Sequence, residues 1–450
     1  MPSRDLSSVV LSAGSVNVQP EAEPVEAGPD DPFRILIVGD FSGREHRPTL
    51  AERRPQRIDR DNFDDVLQKM GVRAAIRLTP AAETLTFAAL SDFEPDAIFA
   101  RCELFRESPP PPRAAPPVAA TRSSVESIES DVARLTSGSL LDEIVEESDV
   151  TRPSKSKDGL QSVIDRVVAP YLEPREDRSA IEHSHSSHSS TMRAILHHPR
   201  FQALEAAWRG IDMLVRGLDT DGVLSLHILD VTRQEVERSL DDLPLGAQPW
   251  ALIAANYTFD RSVSDVALLG KLGALAHRLG APFIAESVPP DGASEDSEWH
   301  ALRASSDARW IGLALPRFLA RMPYGSETYA IESFPFEETS GRPPHNEYLW
   351  ANPAFVCALL LGRAFNEAGW SLRPGTVRQI DGLPCHSFEA EGEMESQPCT
   401  EVLLTDRQIE FIHDQGLMAL AAMKNTDVAM LVRFHSIADP IAVLAGRWGA

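Results

Sequence analysis

Two hydrophobic periods alternate along this 450-residue chain, and together they outline its secondary structure. Phe33–Val38 is an apolar run that predicts a strand, ending at Gly39-Asp40-Phe41-Ser42-Gly43. Phe63, Val66, Leu67 and Met70 fall at i, i+3, i+4 and i+7, which predicts a helix near Asp61–Met70. Thr84–Leu90 reads as a second strand and Asp92–Phe105 as a further short element. The most regular stretch opens at Pro199, where Phe201, Leu204, Trp208, Ile211, Val215 and Leu218 repeat every three or four residues. Leu224, Leu226 and Ile228 then alternate as a strand, and Thr232–Glu235 is a capping box opening the next helix. Trp250–Ala255 (strand), Ser264–Leu279 (helix closed by Gly280), Pro282–Ala285 (strand), Glu298–Ser305 (helix) and Trp310–Leu315 (strand) continue the alternation. Such alternation predicts an α/β fold with a mostly parallel sheet flanked by helices. Beyond Pro323 several prolines break the pattern before a buried helix at Ala354–Glu367. A strand at Glu401–Leu404, a capped helix at Thr405–Gln415 and a last strand at Val428–Phe434 follow.

Between these regular stretches the composition shifts. Residues 1–32 read as an arm with strand-like pieces at Ser8–Leu11 and Val16–Val18. Ser108–Ala120, with Pro109 to Pro112 consecutive, neither pairs in a sheet nor continues a helix, and Ser-rich sequence extends this linker to residue 138. Leu140–Glu147 is acidic and amphipathic, and Gly159–Tyr171 is a second helical piece. The expected organisation is an arm (1–32), an α/β domain (33–107), a linker (108–138), a helical region (139–196) and a larger α/β core (197–450).

Charge narrows the partners. With 67 acidic against 43 basic side chains the formal net charge is −24, which argues against nucleic acid and against anionic membrane surfaces. Only five of the basic residues are Lys; the Arg excess suits bidentate carboxylate pairing, and codon bias would produce the same skew. Four cysteines without a CxxC pair point to a reducing compartment. No signal-peptide core and no apolar stretch of spanning length is present, so a soluble cytoplasmic protein is expected, without direct membrane insertion.

Catalytic constellations are scarce. Walker A, G-x-S-x-G and H-E-x-x-H motifs do not occur in the sequence. The Gly39–Gly43 turn follows a strand as phosphate-cradling turns do, but without the G-x-G-x-x-G spacing. His183, His185 and His188 sit in a Ser-rich insert at spacings that do not share a helical face. His197-His198 before Pro199 reads as a helix entry. Glu332, Glu337, Glu338, His345 and Glu347 form a carboxylate-rich loop, read as a solvated acidic loop or ion-pair surface, with a paired-carboxylate hydrolase site as the sharper alternative. No catalytic, cofactor-binding or metal-ligating residue is assigned, and no cofactor is expected. The alternative kept beside this is an α/β hydrolase-like or nucleotide-handling enzyme using the Gly39–Gly43 turn or the Glu332–Glu347 loop.

Particular strings resemble a known family. Pro32–Arg44, Ile58–Asp64 and the Phe87 to Asp96 segment are similar to the small subunit (VipA/TssB) of the type VI secretion contractile sheath. Ser139–Ile144, Ile195–Gly210, Arg321–Gly325, Glu332–Glu338, Gly416–Leu420 and Lys424–Asp427 are similar to its large subunit (VipB/TssC). The resemblance implies a fusion of the two subunits, and a structural role in a tube assembled around an inner tube. Implied partners are other sheath subunits, further copies of this chain, the inner-tube protein, the baseplate and an unfoldase ATPase. It also implies a large-subunit part that is short at its C-terminus, expected of a cap, terminator or accessory subunit. Structural or interface candidates carried by the strings are Gly39, Asp40, Phe41, Gly43, Trp208, Arg209, Pro323, Tyr324, Gly325, Phe334, Phe336, Lys424 and Asn425.

Overall fold

The computed structural model describes residues 26–78, 81–106, 175–290 and 297–448. The first part of the chain forms β1 (Phe33–Gly39), β2 (Gln56–Ile58), α1 (Phe63–Met70), β3 (Val72–Leu78), β4 (Ala81–Phe87) and α2 (Pro95–Arg101). After it come α3 (Arg175–Leu196), α4 (Pro199–Gly217), β5 (Leu224–Asp230), α5 (Arg233–Ser239), β6 (Leu252–Phe259), α6 (Val263–Leu279), β7 (Phe283–Ser287), α7 (Ser297–Arg303) and β8 (Ile311–Leu315). The chain continues with β9 (Phe318–Leu319), β10 (Trp350–Ala351), α8 (Ala354–Ala368), β11 (Gln379–Ile380), β12 (His386–Ala390), β13 (Glu393–Gln397), α9 (Asp406–Asp414), β14 (Met418–Ala422) and β15 (Ala429–Leu431).

Nine strands form one mixed sheet in the order β11-β15-β14-β8-β7-β6-β1-β5-β2. Pairing is parallel from β14 to β5, with antiparallel β2 at one edge and β15 and β11 at the other. The α/β class expected from the alternation holds. The sheet, however, is not confined to the larger region: β1 lies between β5 and β6, in register from Phe33 against Leu224 to Gly39 against Asp230. The reason is in its side chains. Phe33, Ile35 and Ile37 enter the core on one side of the sheet and Leu36 and Val38 enter the core on the other. A strand apolar on both faces satisfies itself only in a sheet covered on both sides.

The first core gathers α1, α4 and α8 under the sheet; the second gathers α5, α6 and Trp299 of α7. Helix α8 is apolar around most of its circumference and packs on α4, where Gly210 admits the Phe355 ring: a Cβ there would come within 2.5 Å of Phe355 Cδ2.

Several local expectations change. The strand expected at Thr84–Leu90 is the second arm of a β3–β4 hairpin over 72–87, because Val72, Ala74 and Ile76 alternate inward with Leu85 and Phe87. Glu401–Leu404 is not a strand; the Glu401 carboxylate turns back to Arg317 instead. The Val428–Phe434 strand shortens to β15 and pairs with β14, a strand the sequence pattern did not suggest. The Ser-rich stretch that carries His183, His185 and His188 lies within α3. The arm strands, the linker, Leu140–Glu147 and Gly159–Tyr171 lie outside the described residues.

Candidate functional site

Two polar junctions are built into the fold; the first joins the segment 33–106 to the rest of the chain, and the second lies within the rest. The first is built on the Gly39–Gly43 turn. It leaves the C-terminal end of β1 next to the ends of β5 and β6, the crevice in which open α/β sheets hold ligands. Here that crevice is filled by the protein. The amides of Phe41 and Ser42 donate to Asp230 Oδ1 at 2.8 and 3.0 Å, the Ser42 hydroxyl donates to Asp230 Oδ2 at 2.6 Å, and the Gly43 amide donates to Asp40 Oδ1 at 2.9 Å. Arg47 bridges Asp40 and Asp230. Gly43 has φ +61°, and a Cβ on it would lie 2.2 Å from the Arg73 carbonyl oxygen. Trp208 of α4 closes the floor: its indole N–H donates to Phe41 O at 2.9 Å, and its ring meets Phe41 and Phe63 edge-on. Asp230 thus occupies the amides that a phosphate would need, so the nucleotide reading of this turn does not stand. Beside it, Arg53 donates to Asp230 O at 2.8 Å and pairs with Glu235 of the capping box. Burial disfavours the Glu235 carboxylate, but the Arg53 and Thr232 hydrogen bonds outweigh it and hold its pKa at about 2.

The second junction is a buried ion-pair knot. Arg321 donates through Nε to Glu205 Oε1 at 2.7 Å and through Nη1 and Nη2 to Glu338 Oε2 and Oε1 at 2.7 and 3.1 Å. Arg321, Glu205 and Glu338 are 5%, 0% and 1% exposed, so the charges are taken almost wholly from water. Arg209 of α4 also donates to Glu205 Oε1 at 2.8 Å and reaches the Tyr324 hydroxyl at 3.1 Å; the Tyr324 amide donates to Glu338 Oε2 at 2.8 Å. The Arg321 guanidinium lies 4.2 Å from the Tyr324 ring centroid. His197 Nε2 is 3.4 Å from Glu338 Oε1. Burial opposes the Glu338 charge, yet Arg321, His197 and the Tyr324 amide hold its pKa at about 2. The loop is thus partly the solvated, ion-paired surface expected, with Glu332, Glu337 and His345 exposed, but Glu338 is buried in an ion pair and no two of its carboxylates are brought together as a hydrolase pair. Glu338 is committed to Arg321, Glu337 takes the Ser326 amide at 3.0 Å, and His345 lies 2.7 Å from Glu401.

The same loop reaches back to the first segment. Asp96 of α2 accepts from the amides of Glu332 and Ser333 and from the Ser333 hydroxyl at 2.6 Å. Phe99 and Phe105 pack against Phe334 and the His188 ring, and Phe336 lies beside Phe334.

Gly39, Asp40, Phe41, Gly43 and Trp208 thus meet at the first junction; Arg209, Pro323, Tyr324, Gly325, Phe334 and Phe336 lie at or beside the second. Lys424 and Asn425 do not join either: they are exposed in the β14–β15 turn, with Asn425 at φ +58°. Sequence reasoning missed Asp230, Arg47, Glu205 and Arg321 as partners. Glu205 carried a signal, since it falls between Phe201 and Trp208 on the apolar face of α4. Among the described residues no group of three potential ligands could hold a metal ion, and no helix is long and apolar enough to cross a membrane.

Both junctions tie one part of the fold to another through buried or half-buried ion pairs and hydrogen bonds. Residues 15–107 match the family described as type VI secretion system, VipA, VC_A0107 or Hcp2. Residues 179–245 and 292–438 match VipB, described as EvpB/VC_A0108, tail sheath N-terminal domain. The type VI secretion system sheath protein TssC1 of Pseudomonas aeruginosa is 33% identical over 289 residues, covering 55% of this chain and 58% of that protein. The chain therefore spans a little over half the length of that curated relative. The anti-feeding prophage baseplate (15% identity, TM-score 0.31, 52% of this chain and 51% of that one) and its contracted helical sheath (14%, 0.29, 50% and 50%) are more distant, and at those scores they carry no weight. The chain belongs to the type VI secretion sheath family, with a VipA-like and a VipB-like region in one polypeptide.

Proposed function

We propose that this chain is a structural subunit of a type VI secretion sheath, in which what the family divides between a small and a large subunit is one folded unit. The observation that carries the reading is β1: a VipA-like strand paired on both sides by strands of the VipB-like region. Asp96 and Asp230 then lock loops of the two regions together, while Arg321 ties Glu205 to Glu338 within the VipB-like region. The role is assembly rather than catalysis, in the cytoplasm, without a cofactor. The partners are further sheath subunits around an inner tube, on a baseplate, with an unfoldase ATPase acting on the spent assembly. Pro323, Tyr324, Gly325, Phe334 and Phe336 serve as the structural spine of the second junction; Lys424 and Asn425 are left for contacts with neighbours. The test is co-expression of the full chain with the inner-tube and sheath proteins of its own system, followed by imaging of purified tubes. The chain is expected within the tube wall or at its ends; tubes that form and exclude it overturn the proposal.

A further inference from the structure

The β3–β4 hairpin turns one face to the core and one outward. Arg73 and Arg77 stand on the outward face of β3 and line an open concavity of about 400 Å³ with Arg44, His46 and Thr84. Its two carboxylates are already engaged. Glu83 accepts from the amides of Glu103 and Leu104 and from the Cys102 thiol, and Glu45 faces Arg200 at 3.3 Å. Arg73 and Arg77 are exposed and have no carboxylate partner among the described residues.

The opposite feature lies elsewhere on the surface. Strands β12 and β13 form a two-stranded ribbon closed by Glu391 and Gly392, both at positive φ, the geometry of a tight two-residue hairpin. Glu389, Glu391 and Glu393 are exposed around its tip, Glu389 on one face and Glu393 on the other, and none of them is in an ion pair among the described residues; Arg342 holds Glu395 and lies close enough to Glu391 to feel its charge. Met394, 72% exposed, stands opposite Glu389 on the same ribbon.

We infer that the outward face of β3–β4 receives the acidic β12–β13 ribbon of a second copy of this chain. Copies that each carry a net charge of −24 repel at long range, so association needs localised opposite charge, and an acidic ribbon tip set into a concavity lined by Arg73 and Arg77 supplies it. The two faces differ, so each contact leaves one face free on each partner; such a head-to-tail contact generates an open or ring assembly rather than a closed dimer. This deepens the sheath reading and rests on it, by naming one contact between copies.

The experiment uses the full chain in sedimentation velocity at about 0.05 M and about 0.5 M salt, between which screening of exposed charge becomes nearly complete. Wild type is expected to associate at the lower salt and dissociate at the higher. R73E/R77E and E389K/E393K, changed only at exposed positions, are each expected to associate at least about tenfold more weakly, since each meets like charge with like. An equimolar mixture of the two variants restores complementary faces and is expected to regain association. Unchanged melting by circular dichroism confirms that both fold. Variants that associate as wild type does, a mixture that fails to recover, or a wild type that stays monomeric overturns the inference; so does a wild type whose Arg73/Arg77-dependent binding is to DNA instead. Tube incorporation of the two variants separates the readings: normal entry into tubes by both variants sinks this contact and leaves the sheath assignment standing.

Discussion

Two buried carboxylates each lie beside an arginine, and they titrate on opposite sides of the ordinary range. Glu338, in the knot, is held at about 2; Glu286, at the C-terminal end of β7, is pushed up to about 7. Both are largely removed from water, so desolvation raises both. The difference lies in the donors. Glu338 takes two guanidinium bonds, one backbone amide and the His197 contact. Glu286 takes one hydroxyl bond, from Thr258 at 3.0 Å, while Arg317 stands 3.7 Å away because its fork and its amide are turned to Glu401, whose charge also faces Glu286. An arginine in the vicinity does not by itself fix the charge of a buried acid. What decides it is which acid the guanidinium addresses.

The largest expected effect is Arg321→Met. It leaves Glu205 and Glu338 buried without their shared cation, and breaking a buried pair in this way costs about 3–5 kcal/mol. Urea unfolding measures it; a loss below about 1 kcal/mol would mean the knot is not the anchor the geometry makes it. Replacing Arg321, Glu205, Glu338 and also Arg209, which would otherwise lose Glu205, with apolar residues of similar volume is expected to recover most of the loss, because desolvation then no longer has to be offset.

Next comes the pH dependence, where the two acids predict opposite slopes. Glu286 has a folded pKa above its unfolded value, so the folded state binds more protons between about pH 4.5 and 7. Its contribution to stability is complete below that window and is lost as pH rises through it, by up to about 3 kcal/mol at 1.36 kcal/mol per pKa unit. Glu286→Gln is expected to flatten that slope in unfolding measured from pH 5 to pH 8. Glu338 has a depressed folded pKa, so its contribution is present above about pH 4.5 and is lost as pH falls toward about 2. The Glu338→Gln variant is therefore expected to be less stable than wild type at pH 7, with the gap narrowing below pH 4. Equal slopes for the two variants would break the comparison.

Much of the scaffold behind this contrast was legible in the sequence. The Phe33–Val38 run, the α4 stripe, the Thr232 capping box and the apolar α8 each reported a local period or cap, and local physics formed them as expected. What a period cannot report is neighbourhood. Nothing in Phe33–Val38 says that β5 and β6, about two hundred residues away, flank it. The knot shows the same limit: Arg321, Glu205 and Glu338 come from three separate strings, and only the oddity of Glu205 on an apolar helix face hinted at a buried cation. Glu401–Leu404 misled for a related reason, since a short run of strand-like residues is overridden when its first side chain caps the Arg317 amide.

The smallest expected effect tests whether donor choice is local. His345 lies 2.7 Å from Glu401 Oε1 and stacks on Trp350, but its side chain is 55% exposed. Removing it in His345→Ala takes one donor from Glu401 and leaves both Arg317 contacts to that carboxylate in place. An exposed hydrogen-bonded pair of this kind contributes below about 1 kcal/mol, so unfolding at pH 7 should change by less than that. The sharper readout is the Glu286 window. If Arg317 stays turned to Glu401, the loss of stability between about pH 4.5 and 7 keeps its midpoint, because the group that withholds the guanidinium from Glu286 has not changed. A midpoint that falls clearly in the variant would mean that His345 helps hold Arg317 away, and that the contrast between the two buried acids is set by the whole cluster rather than by the reach of one fork.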